Sequence, residues 1–316
     1  TMVSVIQPNI PCYDEEREAA GKTNATQDIQ RLMAEVSDDA AFVVMPESAL
    51  SYLPRYGSVN ESELEAYGPL LKSLRGEAPT NTKLITGAST VRFYGETPAT
   101  ETARQSDYYG YYDLYNSALM VDSEGTIEEI YHKGKLVIGV EAVPMRKLFK
   151  FFEVDLGGIS GQLGWGRQYT LFENNGIKVG PSICYEGLYG EYFGGFVRNG
   201  AELMTLISND GWWGNTPGYK RLFDFTRLRA IECRRSIARS ANTGISGFIS
   251  PRGTTIGEPL EWDEEGALTA SLELRNDITI YTRYGDWVAR IAGYVAILAM
   301  MYYVAYRVRR RNNLVD

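Results

Sequence analysis

Gly180-Pro181-Ser182-Ile183-Cys184-Tyr185-Glu186-Gly187 is the stretch on which the reading of the fold turns. The apolar run Gly176-Ile177-Lys178-Val179 leads into it, and Leu188-Tyr189-Gly190 follows. The pattern predicts a buried strand ending at Ile183, a sharp turn presenting Cys184, and a helix from about Tyr189. A strand-to-helix turn lies at the carboxyl edge of an α/β sheet, beside the positive end of a helix. Both features lower a thiol's pKa and favour the nucleophilic thiolate. Taken alone, Cys184 reads equally as a small buried hydrophobe.

Upstream, Met2–Gln7 reads as a strand stopped by Pro8 and Pro11, and residues 14–37 carry a helical pattern with Ile29, Leu32, Met33 and Val36 on one face. Ala41–Met45 is a fully apolar strand ended by Pro46-Glu47-Ser48; a helix over 61–75 and a strand over Leu84–Val91 follow. Strand, helix, strand, helix at this spacing predicts an α/β layered fold. Residues 95–113 read as a long hairpin excursion. Tyr115–Val121 and Thr126–Tyr131 then make a strand pair turned by Asp122-Ser-Glu-Gly125. After the Cys184 turn come a strand over Glu202–Ser208 and the loop Asn209-Asp210-Gly211-Trp212-Trp213-Gly214. A helix over 219–239 carries Arg227, Arg229, Arg234, Arg235 and Arg239, read as a solvated or salt-bridged face, and strands follow at about 237–242, 245–250 and 267–274.

Composition narrows the chemistry. The 316 residues are 44% hydrophobic and carry a net charge of −8, which fits one large domain with an appendage and gives no basic surface for nucleic acid. Three scattered cysteines (Cys12, Cys184, Cys233) make neither a disulfide framework nor a zinc site, although a Cys12–Cys233 bridge stays open. His132 is the single histidine, so a Cys-His or Ser-His-Asp mechanism must use it or not exist. Alternation turns His132 to the other strand face from its neighbours, a structural position. The base for Cys184 is then a carboxylate or a lysine.

Trp287 to Tyr306 reads WVARIAGYVAILAMMYYVAY, with Arg290 as its one charge. Such a helix rises roughly 30 Å, the thickness of a bilayer's hydrocarbon core. Trp287 at one end and Tyr302, Tyr303 and Tyr306 at the other suit interfacial belts, and the arginines that follow place the tail in the cytoplasm. Residues 1–285 then lie on the opposite face. With no signal peptide or upstream hydrophobic helix to export them, either the chain is a fragment of a protein with an N-terminal membrane part, the favoured reading, or the protein is tail-anchored with the domain inside.

Glu47, Lys133 and Cys184 each follow a predicted apolar strand, so one sheet edge can gather all three. A carboxylate can take the thiol proton, the thiolate attack a carbonyl, and an ammonium and a backbone N–H hold the oxyanion. This ordered Glu…Lys…Cys set resembles the nitrilase (carbon–nitrogen hydrolase) superfamily, which implies a four-layer α-β-β-α sandwich. More specifically, Met45-Pro-Glu-Ser48, Tyr131-His-Lys133 with Glu141 eight residues on, Ile183-Cys-Tyr-Glu186, Ser208-Asn-Asp-Gly-Trp-Trp-Gly214, Arg227-Leu-Arg-Ala-Ile-Glu232 and Arg239-Ser-Ala-Asn-Thr-Gly244 resemble the apolipoprotein N-acyltransferases. The likeness covers residues 2 to about 257 and the C-terminal span. The chain departs from that family in lacking its N-terminal membrane helices and in reading Leu136-Val-Ile-Gly-Val-Glu141 where a Pro-Phe-Gly-Glu ending is usual.

The resemblance implies a catalytic domain over 1–285, a transmembrane helix over 286–308 and a basic cytoplasmic tail over 309–316, in a bacterial inner membrane with the catalytic domain on the periplasmic face. It implies a fatty acyl chain taken from a phospholipid as a Cys184 thioester and passed to the amino group of a diacylglyceryl-cysteine lipoprotein, with no cofactor or metal. Glu47 is then the base, Lys133 the oxyanion stabiliser, Glu141 and Glu186 supporting acids, and Tyr185 a wall that offers its N–H. Residues 145–168 and the Trp212-Trp213 loop are candidate lipid-contacting lids. The alternatives are a membrane-tethered amidase using the same Glu-Lys-Cys machinery on a small amide, and a non-catalytic sandwich that binds lipid or protein.

Overall fold

The computed structural model describes residues 1–13, 24–53, 57–76, 78–142 and 162–312, with Glu16, Glu18, Ala20 and Gly21. Two sheets form. In the first, β1 (Met2–Gln7), β2 (Phe42–Val44), β3 (Val59–Asn60) and β4 (Lys83–Gly95) meet in parallel pairs, β1 with β2 and β4 with both β2 and β3. β5 (Arg104–Ser106), β6 (Gly110–Val121) and β7 (Ile127–His132) extend it in antiparallel fashion from β4. The second sheet holds β8 (Phe172–Asn174), β9 (Ile177–Ile183), β10 (Leu203–Ser208), β11 (Ile237–Ala241), β12 (Ser246–Ile249) and β13 (Thr255–Leu260) in spatial sequence. β14 (Gly266–Ser271) returns to the first sheet, antiparallel to β1.

The side-chain period of two explains the layering. Val3 and Val5 of β1 face the second sheet, where they join Phe42, Val44, Ile85, Val179, Ile183 and Leu203 in one buried core. Ile6, Val43, Leu84 and Leu119 point the other way, against Ile29, Leu32, Leu71 and Leu74 of helices Ala25–Met33 and Gly68–Arg75. Phe193, Phe196, Phe223 and Ala230 of helices Gly190–Arg198 and Pro217–Cys233 cover the far side of the second sheet. Each such burial contributes roughly 1.5–3 kcal/mol for an aliphatic or Phe side chain. The result is the α-β-β-α sandwich expected from the sequence.

Several expectations are corrected in detail. The helix read over 219–239 stops at Cys233, because Arg234 takes a left-handed backbone conformation with φ of 50°. Arg235 and Arg239 are therefore not on a solvated face. Both are buried, Arg235 donating to the Ala201 carbonyl at 2.7 Å and Arg239 lying within β11. Arg229, on the helix, is buried as well. No disulfide joins Cys12 and Cys233, which removes the bridge left open by the sequence. The short edge strands β8 and β13 carry too little pattern to be read from sequence. Much of the 145–168 segment, named as a lid, lies outside the described residues.

Helix Trp287–Asn312 projects from the sandwich. Its Trp287–Arg310 part is long and apolar enough to cross a membrane, and none of its most apolar window is buried against the rest of the chain, unlike a core helix.

Gly87 of β4 sets how closely the first sheet approaches the Glu47 turn. Its N–H donates to the Pro46 carbonyl at 3.1 Å, and a Cβ there would fall 2.5 Å from Glu47 Cα and 2.6 Å from Ser48 N. These are backbone atoms and cannot step aside. Gly87→Ala should lower stability by about 1–3 kcal/mol, the usual penalty of overpacking, read as a fall in the thermal midpoint. It should also slow alkylation of Cys184 by a small electrophile. An unchanged midpoint would show that the turn tolerates a shift.

Candidate active site

Four strand ends supply the site. Glu47 follows β2, Lys133 follows β7, Cys184 follows β9, and Asn209 follows β10. Strands β2 and β7 both run parallel to β4, and β9 parallel to β10, so carboxyl ends gather within each sheet. Contacts between the sheets then join the two edges: the Asn209 N–H from the second sheet donates to Glu47 Oε2 of the first at 2.9 Å.

Lys133 is the centre of the cluster and is 1% exposed. Its Nζ donates to Glu141 Oε1 at 2.9 Å and to Glu47 Oε1 at 3.3 Å. Burial pulls the ammonium's pKa down, but Glu141, Glu47 and the Cys184 sulfur outweigh it, so the pKa stands above its ordinary value. Lys133 is therefore charged across the physiological range. The Val137 N–H donates to Glu141 Oε2 at 2.7 Å, which orients that carboxylate.

Asn116 of β6 is a member that sequence reasoning missed. Its amide Nδ2 bridges the two acids, donating to Glu47 Oε1 at 2.7 Å and Glu141 Oε1 at 2.9 Å. Its backbone carbonyl accepts from the Lys133 N–H at 2.8 Å. The signal was present: counted back from the Asp122–Gly125 turn, the only amide in an apolar strand falls opposite Lys133.

Cys184 sits on the predicted elbow, with φ of 47°, an uncommon left-handed conformation for a residue with a side chain. The expected lowering of its pKa does not occur in the resting site. Burial raises it, Glu47 adds to the rise, and Lys133 only partly opposes them. Cys184 is thus a thiol at rest. A short 3₁₀ turn, Cys184–Leu188, precedes the helix, which begins at Gly190.

Glu186 is fully buried and braces the elbow against the Lys133 turn. Its Oε2 accepts from the Ile183 N–H at 2.8 Å, and its Oε1 from the Tyr131 hydroxyl at 2.6 Å and the Gly134 N–H at 2.7 Å. Tyr185 is half-buried and packs edge-on to Tyr189, with ring centres 5.8 Å apart. Trp212 lies further out: it packs on Tyr13 and lines a cavity of about 560 Å³ together with Cys12, Thr243 and Trp262. That cavity lies behind Asn209, whose Oδ1 is 3.4 Å from Cys12 Sγ. Trp213 ends the same 3₁₀ turn, and its side chain lies outside the described residues.

His132 takes the structural role expected of it. Its Nδ1 is 2.9 Å from the Ser117 hydroxyl, and its ring stacks on Tyr115. Burial, helped by Arg92, lowers its pKa to about 4. No group of three or more metal-ligating side chains occurs among the described residues.

The two facing sheets, covered by helices on both outer sides, make a nitrilase-type sandwich. Solved structures share the fold. Saccharomyces cerevisiae Nit3, a member of branch 10 of the nitrilase superfamily, matches with a TM-score of 0.59 at 19% identity, over 86% of this chain and 89% of that one. An amidase from Nesterenkonia sp. matches with a TM-score of 0.54 at 17% identity, over 92% and 95%. The chain belongs to the carbon–nitrogen hydrolase family, which matches residues 2–277. Among curated relatives, the apolipoprotein N-acyltransferase of Chlorobaculum tepidum is 29% identical over 95% of this chain, and that of Bradyrhizobium diazoefficiens 31% over 98%. The chain spans 56% and 54% of their lengths.

Burial raises the Glu186 pKa from 4.5 to about 7, against hydrogen bonds from Tyr131, Ile183 and Gly134 and the Lys133 charge. The folded value lies above the unfolded one. The associated stability is therefore complete below pH 4.5 and is lost as pH climbs through 7. The shift corresponds to about 3 kcal/mol. Between pH 5 and 7 the melting temperature should fall more steeply for the wild type than for Glu186→Gln, which cannot titrate. Parallel curves would assign the titration elsewhere.

Proposed function

We propose that the protein is an acyltransferase that moves a fatty acyl chain from a phospholipid, through a Cys184 thioester, to the amino group of a diacylglyceryl-cysteine lipoprotein. The observation that carries this reading is a buried Glu47–Lys133 ion pair next to the Cys184 thiol, in a chain that also presents an unburied, bilayer-length apolar helix. The curated relatives' names support it.

Charge explains how a thiol with a raised pKa can react. With Cys184 neutral, the cluster holds Glu47, Glu141 and Lys133, a net charge of −1. Losing the thiol proton to water would leave −2 in a closed site. Passing it to Glu47 leaves −1, so the proton stays inside. Glu141 then remains ionised and keeps Lys133 charged. The thiolate attacks the ester carbonyl of the lipid, and the oxyanion forms beside Lys133 and the Tyr185 N–H. Collapse breaks the ester C–O bond, Glu47 returns its proton to the departing lysolipid alkoxide, and the acyl group rests on sulfur. In the second half the lipoprotein amine attacks the thioester and gives a proton to Glu47, and the thiolate leaves. The product is an amide, and Glu47 reprotonates the sulfur. A thioester suits this sequence because it retains the driving force to acylate an amine.

On this reading residues 1–285 form the catalytic domain, residues 286–308 span a bacterial inner membrane and residues 309–316 are a basic cytoplasmic tail. The catalytic domain faces the periplasm. Trp212 belongs to the rim of the site, and Trp213, with the 145–168 segment, is assigned to lipid contact.

Intact-protein mass spectrometry after incubating the full-length membrane protein with a phospholipid in detergent tests the proposal. The expected result is a hydroxylamine-labile gain of one fatty acyl group, absent in Cys184→Ser and formed at least ~100-fold more slowly in Glu47→Gln, the usual contribution of a general base. A protein that gains no acyl mass although Cys184 still reacts with iodoacetamide would overturn it in favour of an amidase.

A further inference from the structure

The mechanism above leaves one buried polar chain unused. In the parallel pairing of β9 with β10, Ile183 is level with Ile207, so the next residues, Cys184 and Ser208, leave the sheet side by side. That register sets the Ser208 hydroxyl near the Cys184 sulfur, where it favours the charged form of the thiol. It also donates to Asp210 Oδ1 at 2.5 Å. The second oxygen of Asp210 accepts from Arg239 Nη2 at 2.8 Å, and Arg239 Nη1 donates to the Ile245 carbonyl. Ser208, Asp210 and Arg239 are all 0% exposed. The backbone closes round them: Asp210 N–H donates to the Thr243 carbonyl at 3.0 Å, and a Cβ on Gly244, at φ of 143°, would strike Asp210 Oδ2.

Stability does not account for this arrangement. A desolvated ion pair is on average no more stabilising than apolar side chains of the same volume. Its effect on the thiol is more specific. A serine hydroxyl has one proton to give and can accept as well. While Cys184 is a thiol, Ser208 spends its proton on Asp210. Once Glu47 has taken the thiol proton, the sulfur can only accept. The Ser208 hydroxyl can then turn to it, because Arg239 continues to hold Asp210. No proton changes owner at Ser208, and rotation about one bond is the whole movement.

We infer that Ser208 is a catalytic residue whose hydroxyl donates to the Cys184 thiolate in both half-reactions, with Asp210 and Arg239 as the positioning residues that present it. This rests on the reading of Cys184 as the nucleophile. The charged groups around the sulfur are Glu47 after β2, Lys133 after β7 and Asp210 after β10, with Glu141 and Glu186 behind Lys133. Lys133 and Ser208 favour the thiolate, and Glu47 and Asp210 oppose it. Ser208 is thus the neutral donor in a cluster whose net charge is already negative.

The test is the rate of Cys184 alkylation by iodoacetamide at one mildly alkaline pH, read by peptide mass spectrometry to separate it from Cys12 and Cys233. The detergent-solubilised protein, Ser208→Ala and Ser208→Thr are compared, with a thermal melt of each. Ser208→Ala should slow alkylation about tenfold, since hydrogen bonds to charged groups contribute on this scale. Ser208→Thr keeps the hydroxyl and should restore the wild-type rate. An unchanged rate in a folded Ser208→Ala protein overturns the inference. So does a Ser208→Thr protein that melts cooperatively but reacts as slowly as a thiol without the donor, should the alanine variant not fold. The readout needs no lipid. A slowed rate in Ser208→Ala without acyl-thioester formation in the wild type would refute the acyl transfer and leave the Ser208 donor to the thiolate standing.

Discussion

Everything in the candidate site depends on keeping one ammonium charged in the dry. Lys133 is 1% exposed, and an isolated ammonium in such a place would lose its proton. Two carboxylates prevent this, and two carboxylates so close would themselves repel if Lys133 and the Asn116 amide did not bridge them. The three charges are mutually required. Removing either acid leaves the cation underpaired, while removing the lysine leaves two buried acids to share a proton. Interdependence of this kind is costly to disrupt and so supplies a fixed geometry, the condition for electrostatic stabilisation of an oxyanion without reorganisation.

That geometry constrains the backbone as well. Ser48 and Cys184 both adopt left-handed conformations, with φ of 60° and 47°, each just where an apolar strand ends at the site. Residues with side chains held there typically store about 1–3 kcal/mol. The strands on either side are fully buried, and Glu186 ties the Cys184 elbow to the Lys133 turn through backbone N–H groups of both. Strain at the elbow is thus opposed by the packing of the sandwich. Asn209 does the same between Glu47 and the second sheet.

How much of this was legible in the sequence follows from the range of each interaction. β1, and the ends of β9 and β10 at Ile183 and Ser208, were readable because burial on both faces leaves a largely apolar pattern. Glu47 and Cys184 were readable because each comes at the end of such a pattern, and Lys133 because it ends the second strand of a hairpin. Asn116 was not, since its role comes from hairpin register rather than local pattern. Arg235 and Arg239 were read as part of a solvated or salt-bridged helix face because a helical arginine pattern looks the same whether the helix stops at Cys233 or continues, and Arg234 marks the stop without a glycine. The direction of the Cys184 pKa was misjudged for a related reason. The helix end and the lysine were visible in sequence, but the desolvation of the sulfur and the proximity of Glu47 and Asp210 exist only in three dimensions.

The same structure connects the Cys184 elbow to the apolar helix by a short path. Helix Gly190–Arg198 follows the elbow directly, and its Glu191 receives Arg290 at 2.7 and 2.6 Å and the Asp286 N–H at 2.9 Å. Near its other end, Arg198 donates to the Thr282 carbonyl at 2.7 Å. A single exposed ion pair contributes about 0–1 kcal/mol in water, so these contacts matter less as stabilisation than as placement. They join the elbow helix, near both of its ends, to the segment that enters the apolar helix one turn later. On the proposed reading, the substrate ester lies at a fixed depth beneath the headgroups, and a nucleophile on a freely tethered domain would meet it only by chance. Fastening the elbow helix to the start of the span turns that encounter into a matter of fixed height. The lower dielectric of the interface strengthens the Glu191–Arg290 pair where the rigidity is needed.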